Sequence, residues 1–85
     1  MPLVRQPAIY PQRAKARKIE GSVAARLSIS ADGSVTDVEV VSAEPPGIFE
    51  REAVRAMYRY RFDPKVVNGQ AVGQTAMQTV EFRLR

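Results

Sequence analysis

The chain has 85 residues, room for one domain and one modest core, and its 45% hydrophobic and 26% charged residues are ordinary for a folded domain. It holds no cysteine and no histidine, which removes disulfides, thiolate metal sites, the usual general base and the commonest metal ligand. The net charge of +4 suits acidic partners without specifying nucleic acid, and no apolar run approaches the ~20 residues that span a bilayer.

Residues 1–11 contain Pro2, Pro7 and Pro11 and read as an extended arm, with the folded unit expected over 12–85. Gln12–Lys18 is a short run of helix formers after Pro11. Ile19–Ser30 then switches to period two: Val23, Ala25, Leu27 and Ile29 share one face, which marks a strand with one side buried. Ala31-Asp32-Gly33-Ser34 is a hairpin signal. Val35–Ser42 returns as a second strand with Val38 and Val40 inward. Strict alternation puts Val35 and Val41 on the wrong face, so a bulge or an end effect is expected there.

The stretch Gly47–Pro64 organises the rest. Phe49, Ala53, Ala56, Met57 and Tyr60 recur at helical spacing, with Glu50, Arg51, Glu52, Arg55 and Arg59 between them. Pro45, Pro46 and Gly47 hold off helix before it, and Asp63-Pro64 is expected to end it. Lys65–Gly73 reads as a loop turning at Asn68-Gly69, and Thr75–Leu84 as a third strand with Val80, Phe82 and Leu84 on one face. A helix of this length carries the chain back about 20 Å, at ~1.5 Å per residue, so strand three runs parallel to strand two. Slotting it beside strand one makes every neighbouring pair antiparallel. The expected fold is α+β: αββαβ, a three-stranded antiparallel sheet of order 2-1-3 with helices on one face.

Strand three is then an edge, with no proline and only Glu81 and Arg83 charged over 75–83. Such an edge can accept an extended peptide by β-augmentation. It can equally be an ordinary edge shielded by the 1–11 arm, or pair between two copies as a self-assembly module. The arginine row Arg51, Arg55, Arg59 and the basic run Arg13, Lys15, Arg17, Lys18 read as solvated faces, because no base-stacking platform accompanies them; nucleic-acid binding is not expected. The serines lack a His or Cys partner, Asp32 and Asp37 lack the ligand count of a calcium loop, and Glu39 and Glu44 sit at exposed strand positions. No phosphate-binding glycine spacing is present. The sequence points to a non-enzyme with no cofactor and no metal.

Taken in order, a set of residues resembles the C-terminal domain of the TonB family, the periplasmic energy transducers of Gram-negative bacteria. The set comprises Tyr10-Pro11 with Ala14; Ile19-Glu20-Gly21 and Val23; Asp32-Gly33 with Val35; Val40 and Ser42-Ala43. It continues with Pro46, Phe49-Glu50-Arg51, Ala53, Ala56, Tyr60-Arg61-Phe62 and Pro64, then Asn68-Gly69 and Phe82. Two positions depart from the family. Ala8 and Ile9 separate Gln6-Pro7 from Tyr10-Pro11, one residue more than the commoner pattern, and Tyr60 stands where the family usually has Trp.

The resemblance implies a domain whose longer parent chain is anchored in the inner membrane and joined there to a proton-driven motor. The domain itself would lie in the periplasm and grip the TonB box, a short segment of outer-membrane transporters for iron chelates (siderophores), haem or cobalamin. It places that grip on the C-terminal strand, with Thr75, Met77, Gln78, Thr79, Val80, Glu81 and Phe82 as candidates. Gln6, Pro7, Tyr10 and Pro11 add the contacts that the family makes from its Gln-Pro-x-Tyr-Pro segment.

Overall fold

The computed structural model describes residues 2–84; Met1 of the expected arm and Arg85 at the end of the expected folded unit lie outside the described residues. In chain order come β1 (Pro2–Val4), α1 (Gln12–Ala16), β2 (Gly21–Ile29), β3 (Val35–Glu44) and α2 (Glu50–Met57). Then follow β4 (Arg61–Phe62), β5 (Lys65–Val67), β6 (Gln70–Val72) and β7 (Gln74–Phe82).

The central sheet has order β3-β2-β7 with both neighbouring pairs antiparallel, which is the expected 2-1-3 arrangement. Alternation along β2 buries Val23, Ala25, Leu27 and Ile29 almost completely, and α2 covers that face. Strand β3 carries two bulges. Ile29 opposes Val35 while Ser28 opposes Asp37, so Thr36 is the extra residue; Ala25 opposes Val40 while Ala24 opposes Ser42, so Val41 is the second. Each bulge reverses the parity of the face. Val35 is thereby turned inward to 9% exposure, and Val41 is left outside at 46%.

Helix α1 ends in a Schellman motif: Ile19 N–H donates to Ala14 O at 2.8 Å and Lys18 N–H to Lys15 O at 3.1 Å, with Lys18 at φ 57°. Ala14 is its one buried residue. Helix α2 is shorter than the expected span. Its cap position, Phe49, has no polar side chain, and Glu50 instead takes the Gly47 N–H at 2.8 and 3.0 Å. After Met57 the chain tightens: Arg59 N–H reaches Ala56 O at 3.0 Å and Tyr60 N–H reaches Met57 O at 3.1 Å. These i to i+3 bonds still bring Tyr60 to the apolar side, 2% exposed, so the spacing persists where the helix does not.

Two segments are more ordered than their sequence indicates. The arm is extended, but Pro2–Val4 pairs antiparallel with Arg61–Phe62. Residues 65–73, read as a loop, contain the β5–β6 hairpin, whose Asn68 (φ 51°) and Gly69 (φ 78°) form the two-residue turn that matches strand twist. Phe62 N–H donates to Gly33 O at 2.9 Å, tying β4 to the β2–β3 turn. A Cβ on Gly33 (φ 91°) would stand 2.1 Å from Phe62 O, so only glycine allows this approach.

That turn is held by one carboxylate. Asp32 accepts from Ser30 Oγ, from Ser34 N–H at 3.0 Å and from Ser34 Oγ at 2.7 Å. These hydrogen bonds to the charged form, the serine hydroxyls foremost, pull the Asp32 carboxyl far below its usual range. The backbone N–H of Gly47 lowers Glu50 in the same sense. Depressed carboxylate pKa values stabilise the fold above the unfolded pKa, near 4, and that stability is lost as pH falls through the folded values. Thermal melts should therefore be flat from about pH 5 to 7 and fall below about pH 4. Asp32→Asn should flatten part of that acid limb; an unchanged limb would show that the turn does not contribute.

Candidate peptide-binding edge

Main-chain N–H and C=O groups of an antiparallel strand point alternately to its two sides. Thr36 Oγ1 donates to Ser28 O from the β3 side at 3.2 Å. Ile29 O instead faces β7, 3.2 Å from where a Cβ on Gly73 would stand. Val23, Ala25, Leu27 and Ile29 therefore turn their main-chain groups to β7, where Val80, Gln78, Ala76 and Gln74 stand opposite them. The alternate residues Thr75, Met77, Thr79 and Glu81 turn theirs outward. Among the described residues β7 pairs on one side only, with β2. Its outward side chains are exposed, while Val80 and Phe82 reach the core.

At its C-terminal half this edge forms the wall of a groove of about 380 Å³. Val80, Glu81 and Phe82 line one side; Gln6, Pro7 and Tyr10 of the arm line the other. Six of the residues expected at the site are thus brought together across some seventy positions of sequence. Thr75, Met77, Gln78 and Thr79 continue the same strand beyond the groove, with Gln78 half-buried on the helix side. Pro11 departs from the group: it lines a separate groove with Arg13, Arg17 and Ile48.

Tyr10 fixes the arm. Its ring meets Phe49 and Phe82 edge-on, each at 5.7 Å, and those two rings stack at 4.4 Å and 17°. The phenol donates to Ile19 O. Burial, then the nearby Glu20 carboxylate, raise its pKa against the opposing pull of Arg83, so the hydroxyl keeps the proton that it donates. Gly21 makes room for this cluster: a Cβ there would lie 2.7 Å from the Phe49 ring and 2.2 Å from Glu44 O.

Four groove residues lie outside the expected site: Arg5, Ala8, Tyr60 and Arg83. Arg5 donates to Thr79 O at 3.2 Å and to the Tyr60 hydroxyl at 3.4 Å, with its guanidinium 5.9 Å from the centroid of that ring. It satisfies one of the four outward carbonyls of β7 and anchors the arm beside the strand. The one sequence signal for it is indirect, a tyrosine hydroxyl at position 60 that requires a partner. Arg83 pairs with Glu81 at 3.4 Å and Glu20 at 3.7 Å, exposed contacts that shape the groove mouth and contribute little stability.

The geometry offers hydrogen-bonding main chain, an aromatic floor and cations at the rim, the chemistry of extended-peptide recognition. Comparison with known proteins agrees in fold. The sequence profile described as the Gram-negative bacterial TonB protein C-terminal matches residues 6–84. Protein TonB of Pseudomonas aeruginosa is 37% identical over 83 residues, which is 98% of this chain and 24% of that protein. Protein TonB of Escherichia coli is 44% identical over 62 residues, 73% of this chain and 26% of that protein. The chain spans about a quarter of the length of these curated relatives. The solution NMR structure of the Pseudomonas aeruginosa TonB C-terminal domain superimposes with a TM-score of 0.81 at 37% identity, covering 99% of this chain and 85% of that one. The Vibrio anguillarum TonB2 structure gives 0.67 at 40% identity, covering 100% and 81%.

Proposed function

The chain belongs to the family of Gram-negative bacterial TonB C-terminal domains, and from that premise we propose that it is a non-catalytic, force-bearing adaptor that grips the TonB box of outer-membrane transporters. The box adds as a further strand to β7, and tension derived from the inner-membrane proton gradient passes through that contact to drive uptake of iron chelates, haem or cobalamin. In this reading the domain works in the periplasm and its parent chain is anchored in the inner membrane beside the motor.

The observation that carries the proposal is the row of outward main-chain groups at Thr75, Met77, Thr79 and Glu81, running into a groove closed by Gln6, Pro7 and Tyr10. Main-chain pairing supplies affinity that tolerates varied side chains, while the groove reads a few of them. Titration of the isotope-labelled domain with a short TonB-box peptide at physiological salt tests it. Amide shifts are expected at 75–83 and around 5–10, with the helices silent. A folded monomer that shows no shift there is not a box-binding domain.

A further inference from the structure

We infer that the binding edge runs on past Gln74 through β6, so that the segment it takes is longer than a short box. The added part of that segment is uncharged, with small or apolar side chains facing the β5–β6 hairpin. The inference rests on the peptide-binding reading of β7 and concerns how far along the molecule that binding extends.

The argument is one of parity. In the hairpin Val67 opposes Gln70, Val66 opposes Ala71 and Lys65 opposes Val72. Residues flanking a two-residue turn of this kind exchange both main-chain hydrogen bonds, so Gln70 and Val72 turn toward β5 and Ala71 turns away. Gly73 stays out of the left-handed region and leads directly into Gln74. The even residues from Gln70 to Val80 therefore face an inner partner, first β5 and then β2. Ala71, Gly73, Thr75, Met77, Thr79 and Glu81 face outward as one row. Gln74 Nε2 donates to Asp63 O at 2.8 Å, fastening the joint where β5 takes over from β2. From Ala71 to Glu81 the row is about 34 Å long at ~3.4 Å per residue, within the 51 Å long axis of the molecule.

Its composition matches a covered strand rather than a free one. Gln70–Val80 holds no charged residue and no proline, the devices that protect exposed edges. On the outer face Val66 is 63% exposed opposite Ala71, and Met77 is 56% exposed further along. A hairpin of three residues per strand is marginal in water and gains stability from a third strand. A segment already seated on β7 passes along this row, and its next residues pair with Gly73 and Ala71, one strand away from Val66.

The test uses three capped peptides added to the labelled domain: a TonB-box peptide of about seven residues and two versions lengthened by about four alternating Thr and Val, one at each end, long enough to reach the hairpin at ~3.4 Å per residue. All three should shift 75–81. One lengthened peptide alone should also shift Val66, Ala71 and Gly73 and bind about tenfold more tightly through its added ladder hydrogen bonds and apolar contacts. The end that gains reports the direction of pairing, since a strand antiparallel to β7 brings its carboxyl end to the hairpin. Ala71→Pro removes one outward donor from a largely exposed hairpin and should abolish the gain while leaving the short peptide unaffected. Equal affinities with 65–73 silent would overturn the extension and leave box binding standing. No binding by any peptide would overturn both. Shifts at 65–73 that grow with protein concentration without peptide, together with a dimer in sedimentation, would assign the row to self-pairing and overturn the inference.

Discussion

Phe49→Ala should cost about 3–5 kcal/mol, the usual range for truncating a fully buried phenylalanine. Phe49 has no exposed surface, stacks on Phe82 at 4.4 Å and receives the edge of Tyr10 at 5.7 Å. It sits at the entry to α2, over the space left by Gly21, so helix, sheet and arm all meet on one ring. For a domain of this size the total stability is on the order of 4–13 kcal/mol. The melting temperature should therefore drop by about 15–30 °C, measured by far-UV circular dichroism. The loss should not stop at stability. With Phe49 gone, Tyr10 keeps one ring partner of two, so Gln6 and Pro7 should lose their fixed place beside Phe82. A loss below about 1 kcal/mol would show that the aromatic cluster is peripheral.

Met77→Pro should weaken TonB-box peptide binding by at least about tenfold with little change in the melting curve, because proline is tolerated where a strand's N–H faces outward. Val80→Pro should do the opposite in kind. Val80 faces Val23 across the ladder and is 7% exposed, so proline there removes an internal hydrogen bond and disturbs the core. The pair separates an edge that binds from a strand that merely folds. Full peptide affinity in a folded Met77→Pro domain would end the edge-strand mechanism.

Much of this was legible in the residues. The alternation of Val23, Ala25, Leu27 and Ile29 identified the central strand, and the misfit of Val35 and Val41 pointed to a bulge or an end effect, where the structure has two bulges. The sheet order followed from helix length and from the antiparallel fit of strand three beside strand one. What escaped was of two kinds. The β5–β6 hairpin and the β1–β4 pairing are two or three residues long and mostly exposed, so they lack the one-sided burial that makes a period visible. Arg5 escaped because both its partners, Tyr60 and Thr79, lie more than fifty residues away, and an arginine in a proline-rich arm carries no local sign of where it will reach. The groove itself was half legible: the strand side through its missing gatekeepers, the arm side only through resemblance.

The attachment of the arm has a mechanical consequence. Tension applied at the amino-terminal end loads β1 first, and β1 holds β4 through only two paired positions. Behind them stand Arg5, then Ala8 packed against the core, then Tyr10 and its two aromatic neighbours. The arm should peel before the sheet yields, lengthening to at most about 28 Å over the eight residues from Pro2 to Ile9 at ~3.5 Å each. In peeling it withdraws a guanidinium from the Thr79 carbonyl and frees that acceptor on the binding strand. A pulled domain would thus present one more main-chain acceptor than a resting one while giving up the groove wall that Gln6 and Pro7 supply.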